Sequence, residues 1–115
     1  MAIEKETEQK INELQMLELN LQQFTRQKQT FQVQLMEIES ALKELTTTDS
    51  AYKIVGNIMV KSSKDDLEKD LKGKKEMIEV RIKTIEKQEA AIKQKADKLQ
   101  REVLGKIEEK ERAGK

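Results

Sequence analysis

Cysteine, histidine, proline and tryptophan are all missing from this chain of 115 residues, and glycine occurs only four times. Each absence removes a class of explanation. Without cysteine there is no disulfide framework and no thiolate nucleophile, which suits a reducing cytosol. Without histidine the chain lacks the side chain that most often works as a general base near neutral pH. The serines offer no substitute. Ser50, Ser62 and Ser63 stand where turns and caps want them, outside any G-x-S-x-G context. No glycine-rich phosphate loop is present, which speaks against ATP binding. The acidic cluster Asp65, Asp66, Glu68 and Asp70 lacks the spacing and the sharp-turn glycine of a calcium loop, and reads as a helix start. No catalytic, cofactor-binding or metal-binding residue is expected, and an enzyme is the weakest reading. A formal net charge of +1 gives no field that steers the chain to nucleic acid or an anionic membrane. The basic run Lys72-Gly73-Lys74-Lys75 has no interleaved aromatics and reads as a solvated helix face. No apolar stretch approaches the roughly 18 residues of a membrane span. The segment Met1-Ala2-Ile3-Glu4-Lys5-Glu6 lacks the apolar core of a secretory signal, so a cytoplasmic protein is expected.

What remains is charge and a period. Charged residues make up 39% of the chain and aromatics 3%, the composition of a coiled coil and not of a globular core. Leu14, Leu17, Leu21, Phe24, Lys28, Phe31, Leu35, Ile38, Leu42 and Leu45 follow at alternating spacings of three and four. That is a heptad seam facing a partner helix. A second pattern, Leu71, Ile78, Ile85, Ile92 and Leu99, repeats every heptad. The first helix is expected over about residues 3–46, ended by Thr46-Thr47-Thr48-Asp49-Ser50, whose short polar and β-branched side chains compete poorly in a helix interior. The second is expected over about 63–111. Its start is marked by Ser62 with Asp65, or Ser63 with Asp66, each a hydroxyl cap with an acid three residues on. Gly73 marks a local weak point inside it, at a cost of about 1 kcal/mol relative to alanine. The length allows one domain at most.

Between the helices, at about 51–61, lies Tyr52-Lys53-Ile54-Val55-Gly56-Asn57-Ile58-Met59-Val60-Lys61. Gly-Asn between β-forming residues signals a two-residue hairpin turn, because such turns need positive φ. A hairpin reverses the chain, so the helices should pack antiparallel. A fold symmetric about Gly56-Asn57 sets Leu14 against Leu99, Leu21 against Ile92, Phe31 against Ile82, Leu35 against Ile78 and Leu42 against Leu71. Two charged seam residues, Lys28 and Glu89, then either pair or reach out to water. Ile54, Val55, Ile58, Met59 and Val60 are consecutive apolar residues on either side of the turn. Strand side chains alternate, so both hairpin faces are apolar. A lone two-stranded hairpin is marginal in water and leaves two unpaired edges. The remedy is pairing with hairpins of other chains into a closed sheet or barrel. The expected fold class is therefore mainly α: a long antiparallel two-helix coiled coil joined by one β-hairpin that oligomerises into a β-barrel body.

The helix ends remote from the hairpin carry more apolar residues than a seam requires. The first has Ile3, Ile11, Met16 and Leu19 beside the seam residues Leu14 and Leu17, and the second has Val103, Leu104 and Ile107. Apolar surface rimmed by charge marks an interaction site, and methionine suits promiscuous contact.

Particular stretches carry a family likeness. They are Lys28-Gln29-Thr30 and Ala41-Leu42-Lys43-Glu44-Leu45 in the first helix, and Tyr52-Lys53 with Val55-Gly56-Asn57-Ile58 in the hairpin. The second helix adds Lys83-Thr84-Ile85-Glu86-Lys87-Gln88-Glu89. In these the chain resembles the β-class subunits of prefoldin, in their archaeal form. The resemblance implies an ATP-independent holdase subunit with one hairpin, where α-class subunits have two. Two α and four β subunits would join their hairpins into a barrel from which six coiled coils hang. The coil tips would hold non-native proteins and pass them to a group II chaperonin. Ile3, Ile11, Leu14, Met16, Leu17, Leu19, Val103, Leu104 and Ile107 would then be the client-binding residues, and Tyr52, Ile54, Val55, Gly56, Asn57, Ile58, Met59 and Val60 the oligomerisation residues. The competing reading is a structural coiled-coil adaptor that tethers two fixed partners. Suppression of aggregation of unrelated unfolded proteins separates the two.

Overall fold

The structure, a computed structural model, describes residues 4–114, so Ile3 lies outside the described residues. Helix α1 spans Lys5–Leu45, strand β1 Ala51–Val55, strand β2 Ile58–Ser62 and helix α2 Lys64–Ala113. The chain divides into two compact units. The hairpin unit comprises Lys28–Thr84, and the terminal unit comprises the chain up to Gln27 together with the chain from Ile85.

In the hairpin unit, α1 stops where its sequence turns polar. The amides of Thr46 and Thr47 donate to the carbonyls of Lys43 and Glu44 at 3.2 and 3.1 Å, and their hydroxyls donate to the same two carbonyls at 2.6 and 3.1 Å. These bonds satisfy carbonyls that the end of the helix leaves orphaned. Helix α2 begins after Ser63, which is its cap. The Ser63 Oγ accepts the Asp66 amide at 3.1 Å, and its carbonyl accepts the Leu67 amide at 3.1 Å. Of the two capping registers open in the sequence, Ser63 with Asp66 is the one formed. Asp65 and Asp66 lie in the first turn, where the helix dipole favours negative charge. One turn on, Lys72 approaches Glu68 at 2.9 Å and holds its carboxyl below the usual carboxylate range. Gly73 does not interrupt the helix.

The strands pair antiparallel, with Ile54 opposite Met59 and Val55 opposite Ile58. Gly56 has φ of 60° while Asn57 stays at negative φ, the pattern of a type II′ turn with glycine first. Below the hairpin, the α1 seam residues Phe31, Leu35, Ile38, Leu42 and Leu45 and the α2 residues Leu67, Leu71, Ile78 and Ile82 are buried or half-buried. Cross-helix pairs fix the direction of the packing. The Arg81 guanidinium lies 5.6 Å from the centre of the Phe31 ring, and Lys75 reaches Glu39 at 3.7 Å. As the α1 number rises the α2 number falls, so the two segments run antiparallel.

The terminal unit follows the same logic. Lys10 pairs with Glu102 at 3.2 Å, Glu13 with Lys95 at 3.3 Å, and Thr25 with Glu89 at 3.0 Å. These pairs agree with the symmetric register that sets Leu14 against Leu99. Leu17, Ile85, Leu99 and Val103 are the buried apolar residues here. Among the described residues no large side chain is fully buried. Two helices shield each other from one side only, so among the described residues the seam supplies every buried apolar side chain but Ala51. The sequence showed one line of the α2 seam; Lys75, Ile82, Glu89, Ala96 and Val103 form the second line, and all five are half-buried or buried.

Candidate functional site

Strand alternation and the observed register assign the hairpin side chains to faces. Tyr52, Ile54 and Met59 share one face with Lys61. Ala51, Lys53, Val55, Ile58 and Val60 share the other. On the second face Ala51 is buried, and Lys53 pairs with Asp70 of α2 at 3.6 Å. That ion pair ties the base of β1 to the start of α2. The rest of the hairpin is uncovered. Tyr52, Ile54, Val55, Ile58, Met59 and Val60 are 48–70% exposed, and they hold both faces. No other described segment places so many large apolar side chains side by side. A groove of about 480 Å³ runs beside β1, lined by Leu45, Ala51, Tyr52, Ile54, Leu67 and Leu71 among others. Surface of this kind is what association covers.

In the terminal unit the nine tip residues divide. Leu17 and Val103 are buried in the seam and Leu14 is half-buried there, so these three hold the helices together. Ile11 is half-buried at the seam edge. Met16, Leu19, Leu104 and Ile107 are 65, 60, 51 and 37% exposed. Ile3 is outside the described residues. Ile107 lines an open groove of about 430 Å³ with Glu4, Thr7, Lys106, Lys110 and Ala113. The apolar surface at this end is thus interrupted by both signs of charge, and the seam side chains beneath it keep it in place.

Two features escaped the sequence. Thr7 is 3% exposed although its neighbours in sequence are charged, and Glu89 is turned inward at 5% exposure. The heptad count placed Glu89 on the seam but could not say that its carboxylate stays inside. Val33 and Met36 on α1, and Met77 and Val80 on α2, are exposed within the hairpin unit. Among the described residues no group of three or more histidine, cysteine, aspartate or glutamate side chains could hold a metal ion. No described helix is long and apolar enough to cross a membrane.

The sequence profile of a family described as "Prefoldin subunit" matches residues 8–110. The chain is 35% identical over 101 residues to a prefoldin subunit beta of Saccharolobus islandicus, covering 85% of this chain and 80% of that protein. It is 40% identical over 88 residues to a prefoldin subunit beta of Archaeoglobus fulgidus, covering 74% and 76%. Among solved structures it is similar to the prefoldin beta subunit from Thermococcus strain KS-1. The TM-score is 0.85 at 31% identity, covering 90% of this chain and 94% of the other.

Proposed function

The chain belongs to the prefoldin subunit family, a family of chaperones, and from that premise we propose that it is the β-class subunit of a hexameric, ATP-independent holdase. Two α-class and four β-class subunits would close their hairpins into one barrel. The observation that carries this reading is the hairpin: six large apolar side chains, on both faces, exposed on an isolated two-stranded sheet. A closed sheet covers one of these apolar faces and pairs both edges.

The terminal units would then be the client-binding ends. Met16, Leu19, Leu104 and Ile107 supply exposed apolar contact, with Ile3 and Ile11 beside them, while Leu14, Leu17 and Val103 support them from the seam. Unfolded chains share exposed apolar surface and little else, so a holdase needs apolar area and not a shaped pocket. Each contact is weak. Several tips on one client raise avidity through effective concentration. Capture by burial needs no nucleotide, and release would follow competition from a group II chaperonin in the cytoplasm.

The test is native mass measurement of the chain alone and mixed with an archaeal α-class prefoldin subunit. The expected result is a heterohexamer of two α and four β chains in the mixture and no such assembly from the chain alone. A stable, monodisperse monomer at micromolar concentration in both samples contradicts the reading.

A further inference from the structure

The Thr25–Glu89 layer lies within the terminal unit, between seam layers that are aliphatic or aromatic. On α1 its neighbours along the seam are Leu17, Leu21 and Phe24, and on α2 they are Ile85, Ile92, Ala96 and Leu99. Glu89 is 5% exposed, and the Thr25 hydroxyl donates to its Oε2 at 3.0 Å. A carboxylate so placed is a poor source of stability. Its desolvation cancels much of what its partners return, and an apolar replacement of similar volume is often neutral or stabilising. Its selective value lies in what it forbids.

We propose that the Thr25–Glu89 layer is a register and partner lock for the terminal unit. A seam of leucine, isoleucine and phenylalanine buries similar area in several registers, and also against a second copy of itself. The polar layer breaks that degeneracy. A slip of one heptad that brings Lys10 beside Glu109 carries Glu89 to the level of Phe31, sets the carboxylate against an apolar ring and sets Thr25 near Ala96. Pairing α2 with a second α2 is penalised too, because the other seam positions of α2 in this unit are Ile85, Ile92, Ala96, Leu99 and Val103, none of which carries a hydroxyl. A buried polar group without its partner costs far more than the matched pair gains, so the wrong pairings lose most. The consequence goes beyond client holding. A chain that exposes Met16, Leu19 and Leu104 near other copies must keep its seam from annealing with theirs, and this layer lets it present apolar surface outside while the inside accepts one partner.

The absence of cysteine makes the test clean. Three reporters are built in the full chain and treated with a short bis-maleimide. Lys10→Cys with Glu102→Cys reads the observed register, since these side chains meet at 3.2 Å. Lys10→Cys with Glu109→Cys reads a slip of one heptad. Glu102→Cys alone reads contact between two α2 helices. In the parent seam the first reporter should cross-link within the chain, and the other two should give only background. In the Thr25→Leu, Glu89→Leu background, the second or third product should rise about tenfold, from the cost of a mispaired buried polar group. Helix content should be kept and the melting temperature equal or higher. Glu89→Gln preserves an acceptor for the Thr25 hydroxyl and should keep the parent pattern. The proposal is overturned if the leucine pair leaves all three yields unchanged. It is also overturned if Glu89→Gln relaxes the register as much as leucine does, or if the leucine pair unfolds the chain, since the layer would then act through stability.

Discussion

Replacing Ile54 and Ile58 with aspartate probes the hairpin at its most exposed points, one residue on each face. The side chains are 70% and 67% exposed, so the isolated chain loses little when they change. Fully burying an isoleucine yields roughly 1.5–3 kcal/mol relative to leaving it in water. From about two-thirds exposure, covering one of them in an assembly gains about 1–2 kcal/mol. A closed sheet covers one of the two faces, so the double variant forgoes one such gain per chain, about five- to thirtyfold in an association constant. Desolvating the new carboxylates adds further cost. The single variants separate the faces, because the one turned into a closed sheet must bury its charge and the other need not. The assay is native mass measurement of each variant mixed with an α-class prefoldin subunit, beside far-ultraviolet circular dichroism. Assembly should be lost in the double variant while the helical signal stays close to that of the parent. A double variant that still forms the hexamer refutes hairpin-mediated assembly. Collapse of the helical signal refutes the claim that these residues serve association and not the chain's own fold.

Three further substitutions test individual contacts. Gly56→Val forces a β-branched residue to a φ of 60° in otherwise open space; it should weaken the hairpin by about 1–2 kcal/mol through the backbone alone and lower assembly affinity, measured by titration against the α-class partner. Ser63→Ala removes the hydroxyl that caps α2 and should destabilise the helical transition by about 1 kcal/mol in thermal or urea unfolding. Arg81→Ala removes the cation from the Phe31 face and should cost about 0.5–1 kcal/mol in the same assay, an effect that Phe31→Leu should abolish.

The parts of the fold that were legible in sequence are those that periodicity and turn chemistry govern. The seam from Leu14 to Leu45 was readable because an exposed two-helix coil has few other ways to bury leucine. The hairpin was readable because Gly56-Asn57 sits between β-branched residues, and both signals agree. The threonine run that ends α1 acts through its own hydroxyls, as residue chemistry suggests. The second line of the α2 seam was harder to see, because Lys75 and Glu89 stand where an apolar residue is expected. Whether a charged side chain turns inward depends on what faces it across the seam, and no single helix carries that information. The tip residues show the same limit. Met16 and Leu104 are exposed while Leu17 and Val103, their immediate neighbours in sequence, are buried. Only the register decides which of two adjacent apolar residues serves the seam and which serves the surface.

If the helix ends hold non-native proteins, trimming those ends must cost protection. Removing residues 1–11 and 103–115 takes away Ile3, Ile11, Val103, Leu104 and Ile107 and leaves the hairpin unit intact. The measurement is aggregation suppression of two unrelated unfolded proteins, without nucleotide, by hexamers built with intact or trimmed chains. The trimmed hexamer should form yet protect both proteins poorly, with protection falling more than proportionally as more of its subunits are trimmed. Equal protection by intact and trimmed hexamers contradicts the account and moves the binding surface away from residues 1–11 and 103–115.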